Sequence, residues 1–202
     1  MLVDLTVKEF LEETASESPA PGGGSVAALA GALGAALTVM VANLSEGNEE
    51  IVRLRERGAS YLSQAEASVD RDTEAFNAVM ASYHRPKNTA EEKKERSEAI
   101  QSALKSAASS PMSIAELCVG VIQLALEALK AGNSNAASDA ASAGRMAHAG
   151  FWAAVYNVRI NLKSIKDEDF SAGMRKKTAE LIREAEALLS ELSKTADEKT
   201  GL

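Results

Sequence analysis

Twenty residues, Val26 to Ser45, pass without a single charge, and a fold has to place such a run inside a protein core or inside a membrane. Its length is that of a membrane span, about 20 residues. Its composition is not. Ala27, Ala28, Ala30, Gly31, Ala32, Gly34, Ala35 and Ala36 put small groups on every face, and neither a Lys/Arg belt nor aromatic anchors flank the segment. A helix that is apolar all round because other helices enclose it accounts for the run better. Gly inside a helix costs up to ~1 kcal/mol relative to Ala, a cost tolerated where backbones approach closely. The segment therefore predicts a central Ala/Gly-rich helix in a packed bundle, and no membrane partner.

The remainder of the 202 residues agrees with an all-α protein. Helix formers dominate, aromatics make up 4%, and Val, Ile and Thr form no alternating runs. The expectation is a single-domain bundle of about seven helices over residues 1–202. Thr6-Val7-Lys8-Glu9 has the form of a capping box and opens a short helix ending near Ser16. Ser18 to Ser25 breaks it, and the central helix follows. A charged helix runs from Glu49 to about Ser82, and a fourth from Thr89 to Ser109. Ser110-Pro111 reads as an N-cap with proline at the first helical position, opening a fifth helix that stops at Gly132. A sixth spans Asn135 to Leu162, and Asp167 or Asp169 caps a seventh that fades near Lys194. Small residues also line the sixth helix (Ala136, Ala140, Ala143, Ala147, Gly150). Together with Gly31 and Gly34 they suggest close packing across a twofold axis, hence a homodimer.

Charge and rare residues exclude several classes of function. The net charge of −7 comes with no basic patch, so no nucleic-acid partner is expected. The single cysteine, Cys118, rules out an internal disulfide and lies in an apolar run, as a small core residue would. His84 and His148 lack companions at metal-ligand spacing, so no metal site is expected. The start MLVDLTVKEF shows neither a basic segment nor an apolar signal core, which points to a cytoplasmic protein.

Three clusters can carry chemistry. Leu62, Ala65, Val69, Asp72, Phe76, Val79 and Tyr83 follow one another at steps of three and four, the seam of an amphipathic helix. A carboxylate there leaves water, and a buried charge is paired, protonated or used. Asp70, two positions away, points elsewhere. Pro21-Gly22-Gly23-Gly24-Ser25 precedes a helix, whose free N–H groups and positive dipole end suit an anion or developing negative charge; a plain linker is the competing reading. In Gly132-Asn133-Ser134-Asn135-Ala136-Ala137-Ser138-Asp139, Asn135 and Asp139 share one face of a helix's first turns. Dipole matching by an acidic residue and binding of a polar heterocycle are both open there.

These segments, in this order, resemble the formiminotetrahydrofolate cyclodeaminase/methenyltetrahydrofolate cyclohydrolase family. The resemblance rests on Pro21 to Ala28, on Val69-Asp70 with Asp72 and Ala75-Phe76, on Gly132-Asn133 with Asn135 and Ser138-Asp139, and on Asn157-Val158-Arg159-Ile160-Asn161-Leu162. It implies an all-helical, dimeric enzyme of folate one-carbon metabolism, with no cofactor beyond the tetrahydrofolate-borne substrate. The cyclodeaminase reaction comes first, the cyclohydrolase reaction is the alternative, and a non-catalytic helical adaptor is the reading of another class. On this resemblance Asp72 and Asp139 are the expected acid–base pair. Pro21, Gly22, Gly23, Gly24 and Ser25 would bind the pterin or the glutamate tail, and Lys87 would meet the tail's carboxylates. Asn133, Asn135 and Ser138 are further substrate-binding candidates, and Arg159 would bind substrate or pair with a core carboxylate. Eighteen residues of one helix separate Asp139 from Asn157, roughly 27 Å, so Asn157 and Asn161 are expected as buried amides or contacts across a subunit boundary.

Overall fold

Local signals set the ends of most helices. In the computed structural model, which describes residues 1–201 and leaves Leu202 outside, a 3-10 turn (Leu2–Asp4) precedes α1 (Val7–Thr14). Then come α2 (Gly23–Asn43), α3 (Glu49–Tyr83), α4 (Ala90–Ala131), a second 3-10 turn (Ser134–Ala136), α5 (Ala137–Leu162) and α6 (Glu168–Thr200). No strand occurs among the described residues. Thr6 closes the anticipated capping box with Glu9, and Thr89 closes another with Glu92. Asn48 caps α3, and Asp167 caps α6 by accepting the Phe170 N–H at 2.9 Å. Lys105, hydrogen-bonded to Asp167, holds that carboxyl below its usual range and ties α4 to the start of α6.

Six α-helices form among the described residues, close to the expected seven, because the fourth and fifth expected segments are one helix with Pro111 inside it. Proline has no N–H, so the Ala107 carbonyl one turn earlier loses its usual donor. Asn161 of α5 supplies it: its Nδ2 donates to Ala107 O at 2.7 Å. With that carbonyl satisfied from a neighbouring helix, the chain passes through the proline without stopping.

α2 is central, as its composition requires. It packs on α3, α4 and α5, and Ala27, Ala28, Ala35, Val41 and Ala42 are fully buried. A Cβ at Gly34 would stand 2.7 Å from the Ala143 carbonyl oxygen, and one at Gly150 would stand 2.7 Å from that of Ala27. Gly31 faces Cys118 and Leu117. These glycines bring α2, α4 and α5 together within one chain. They expose no backbone for a second subunit, so the small faces are not the dimer surface they were expected to be. Cys118 is buried among them, and burial pushes its thiol up to about 12. α2 and a stretch of α4 are long and apolar enough to cross a membrane, yet most of each stretch is buried against neighbouring helices.

Candidate active site

Asp72 lies about two thirds of the way along α3, half buried, on the face turned to α2 and α4. Its carboxylate covers the first turn of α2, so close that a Cβ at Gly24 would overlap it. A side chain at Gly23 would instead come 2.8 Å from Asn157 Nδ2 of α5. None of these glycines has positive φ. Gly22 is the extended N-cap, and Gly23 and Gly24 are already helical. Glycine is required here for space and not for a left-handed turn. The expected glycine loop is thus the mouth of α2, and the chain's own carboxylate occupies it. Ser25 is buried, and its hydroxyl donates to Val69 O at 2.7 Å, locking α2 onto α3.

Burial raises the Asp72 pKa above the usual carboxylate range; the Ser110 hydroxyl, donating to Oδ1 at 3.3 Å, and the Ser25 main-chain N–H pull the other way. The carboxylate opens into a cleft of about 280 Å³ bounded by the Pro19–Gly23 segment, α3, α4 and α5. Asn157 and Asn161 form its far wall. Their Nδ2 groups donate to the Ala153 and Ala107 carbonyls, at 2.9 and 2.7 Å. Neither amide oxygen has a donor among the described residues, so the cleft offers two neutral acceptors opposite a carboxylate. That set suits a cationic or N–H-rich ring. Phe76, Val79 and Leu104 supply apolar contact. A larger cavity, about 380 Å³, lies between the N-terminal turn, α1, α2 and α3, but its walls are apolar apart from Glu66. It lacks the convergent polar groups that chemistry needs.

Of the expected site residues, Pro21 to Ser25 gather around Asp72. The second cluster does not. Asn133 sits at the other end of α2, where its Nδ2 donates to Leu44 O at 2.8 Å, its N–H donates to Ser45 Oγ, and its side-chain oxygen caps the following turn. Because α2 is 21 residues long, about 30 Å separates its two ends. Asn135 and Ser138 are exposed near Asn133, and Asp139 stands in the first turn of α5. In one chain, therefore, Asp139 does not meet Asp72. Lys87 is exposed and lies outside the cleft. Arg159 is exposed, stacks 5.8 Å from the Trp152 ring centre, and lines a separate depression with α6. It meets neither a core carboxylate nor the cleft. Asp70 points away from the cleft, accepting the Leu2 N–H at 2.6 Å.

What the sequence reading missed is the partnership of Asp72 with Asn157 and Asn161. The signal was their i, i+4 spacing, which gives two amides one face of α5. Ser110 was read as a cap and is instead a neighbour of the carboxylate.

Comparison with known proteins matches residues 6–198 to the family described as formiminotransferase-cyclodeaminase. A methenyltetrahydrofolate cyclohydrolase of Methylorubrum extorquens is 39% identical over 97% of this chain and 98% of its own. The formimidoyltransferase-cyclodeaminase of Rattus norvegicus is 34% identical over 91% of this chain, which spans 35% of that longer protein. Among solved structures, a formiminotetrahydrofolate cyclodeaminase from Thermotoga maritima superposes with a TM-score of 0.87 at 31% identity, over 98% of both chains.

Proposed function

The chain belongs to the formiminotransferase-cyclodeaminase family, and from that premise we propose that it acts on the one-carbon unit of tetrahydrofolate, first of all as a formiminotetrahydrofolate cyclodeaminase. The observation that carries this reading is Asp72: one half-buried carboxylate in a cleft whose other polar side chains, Thr73, Asn157 and Asn161, are all neutral. N10 attacks the formimino carbon on N5, giving a tetrahedral carbon between nitrogens. The proton released by N10 passes to Asp72, and from Asp72 to the departing nitrogen, which leaves as ammonia. With the substrate entering as its amidinium cation, no net proton is taken up or lost. One carboxylate suffices as shuttle, and its charge also stabilises the cation. The free oxygens of Asn157 and Asn161 accept N–H groups of the pterin ring. The cleft has room for one ring system, so the aminobenzoyl-glutamate portion runs out over the surface.

The M. extorquens relative, similar over both full lengths, favours a second reading, cyclohydrolase. Water then attacks the methenyl carbon, the C–N5 bond opens, and 10-formyl-tetrahydrofolate forms. The same Asp72 takes the proton of the attacking water. Asp139 joins the chemistry only if a second copy of the chain brings it to the cleft. The proposal includes a cytoplasmic homodimer using no cofactor besides the folate carrier.

Supplying 5-formimino- and 5,10-methenyl-tetrahydrofolate separately, while following ammonia and methenyl absorbance, tests both readings. Ammonia released together with growth of the methenyl signal is the expected result. Loss of methenyl signal on the second substrate adds the cyclohydrolase reaction. A protein that altered neither, and whose melting temperature neither substrate raised, would be the non-catalytic adaptor.

A further inference from the structure

If the methenyl bridge is opened by water, Asp72 is left with a proton and has to be returned to its starting charge while folate fills the cleft. No other residue around the cleft carries an acidic or basic group. A pterin bound there as proposed would cover that side of the carboxylate. On the opposite side of Asp72, the Ser110 hydroxyl donates to Oδ1 at 3.3 Å. Ser110 also lines a second depression, about 190 Å³, that opens between α3 and α4 and is shared with Ser68, Arg71, Ser106, Ser109 and Ser113. Ser106, Ser109 and Ser113 are exposed, so water reaches this groove. Ala75 borders both the cleft and the groove, which places only the thickness of the α3–α4 seam between them.

We propose that Ser110 is a proton relay, connecting the Asp72 carboxyl in the cleft with water in the serine-lined groove behind it. The inference rests on the functional reading above and deepens it. In the methenyl-opening direction a cation and water give a neutral formyl group and one proton, so a proton has to leave the site. The attacking water gives its first proton to Asp72. The protonated carboxyl passes it to Ser110 Oγ as the hydroxyl's own hydrogen moves to a groove water, yielding hydronium and restoring the carboxylate. The second water proton goes to N5 as the C–N5 bond breaks, and the carbonyl forms. Ammonia release from the amidinium substrate has no net proton to export, so the relay is idle there.

The groups facing Asp72 are Gly24 and Ser25 of α2 and Ser110 of α4, with Asn157 and Asn161 of α5 across the cleft, and none of them titrates. Arg71 is the charged residue beside it on α3, and it faces the groove. Removing the Ser110 hydroxyl therefore acts on Asp72 itself, and the pH profile reads it out.

The test compares wild type, Ser110→Ala and Ser110→Thr on both substrates, in dilute buffer with and without added imidazole. Ser110→Ala should slow methenyl opening by about tenfold in kcat with KM unchanged, a clearly larger loss than the one it causes in ammonia release. The acid limb of its profile should move up, since a bond favouring the ionised carboxylate is lost. Imidazole should restore much of the rate, and Ser110→Thr should keep it. Equal loss on both substrates with no response to imidazole would make Ser110 a positioning residue and overturn the relay. Unchanged kinetics in Ser110→Ala, or a wild type that releases ammonia but never opens the methenyl bridge, would overturn it as well. Inertness of the wild type toward both substrates would instead sink the functional reading, and the relay with it.

Discussion

Asp72 is held above the ordinary carboxylate range chiefly by burial, and the consequence for stability has a definite sign. A folded-state pKa above the unfolded value means that the native protein binds the proton more tightly. The stabilisation this group gives is complete below its unfolded value near 3.8 and is lost as pH rises through the folded value. At neutral pH the ionised Asp72 is thus a burden on the fold that its function requires. Asp72→Asn keeps the volume and removes the charge. It should melt at or above the wild-type temperature at pH 7 while losing about 10²–10⁴-fold in turnover. Calorimetry beside an ammonia assay checks both halves, and near-wild-type turnover would return Asp72 to a structural role. In the wild type, the rate should rise with pH along an acid limb displaced upward from 3.8, because the shuttle must start as the carboxylate.

Two helix junctions make the site, and each can be tested alone. At the mouth of α2, Gly24 leaves the space that the Asp72 carboxylate occupies. Gly24→Ala should displace that carboxylate and cut turnover at least about tenfold, at a folding cost of ~1–3 kcal/mol. Full activity in a folded Gly24→Ala protein would show that the carboxylate works from elsewhere. The second junction is the α4–α5 contact at Pro111. Asn161→Leu leaves the Ala107 carbonyl without a donor and should cost ~1–3 kcal/mol in denaturant unfolding. In a Pro111→Ala background the helix supplies its own N–H, and the same substitution should cost clearly less. Additive costs in that double-mutant cycle would mean that Asn161 does not serve the carbonyl.

On the scale of the whole molecule, α2 presents Val26, Ala30, Leu33, Leu37 and Met40 along one side, continued by its C-cap Leu44, at steps of four and three. Val26, Leu33, Met40 and Leu44 remain 38%, 47%, 36% and 56% exposed. Such spacing is the seam of paired helices, and although Ala30 meets α5 and Leu37 packs on the chain's own core, the other four side chains are only partly covered by it. The apolar cavity beside α1 shares Leu33 with this stripe. The proposed homodimer therefore rests on the outer face of α2 and not on the buried glycines. Leu33→Glu should convert a dimer into a 21.2 kDa monomer in light scattering, with the helical signal unchanged. A wild type that already runs at the monomer mass at micromolar concentration would remove both the dimer and any site shared between subunits.

The sequence by itself determined the all-α class, the central place of the uncharged Ala/Gly segment, the cap at Thr6, the start of a helix at Thr89, a cap at Asp167 or Asp169, and the place of Asp72 on an apolar seam. Each of these is a local matter of periodicity, capping geometry or the cost of a charge on an apolar seam. Only the tertiary structure decided what lies against what. Pro111 reads locally as a helix start, yet α4 continues because a side chain fifty residues later satisfies Ala107. Asp139 resembles a partner for Asp72, yet the length of α2 and α5 puts the two at opposite ends of the bundle and gives Asp72 the company of Asn157, Asn161 and Ser110. Side-chain spacing along one helix is written in the sequence. The meeting of side chains from different helices depends on how closely the helices pack, and here glycines at Gly24, Gly34 and Gly150 set that distance.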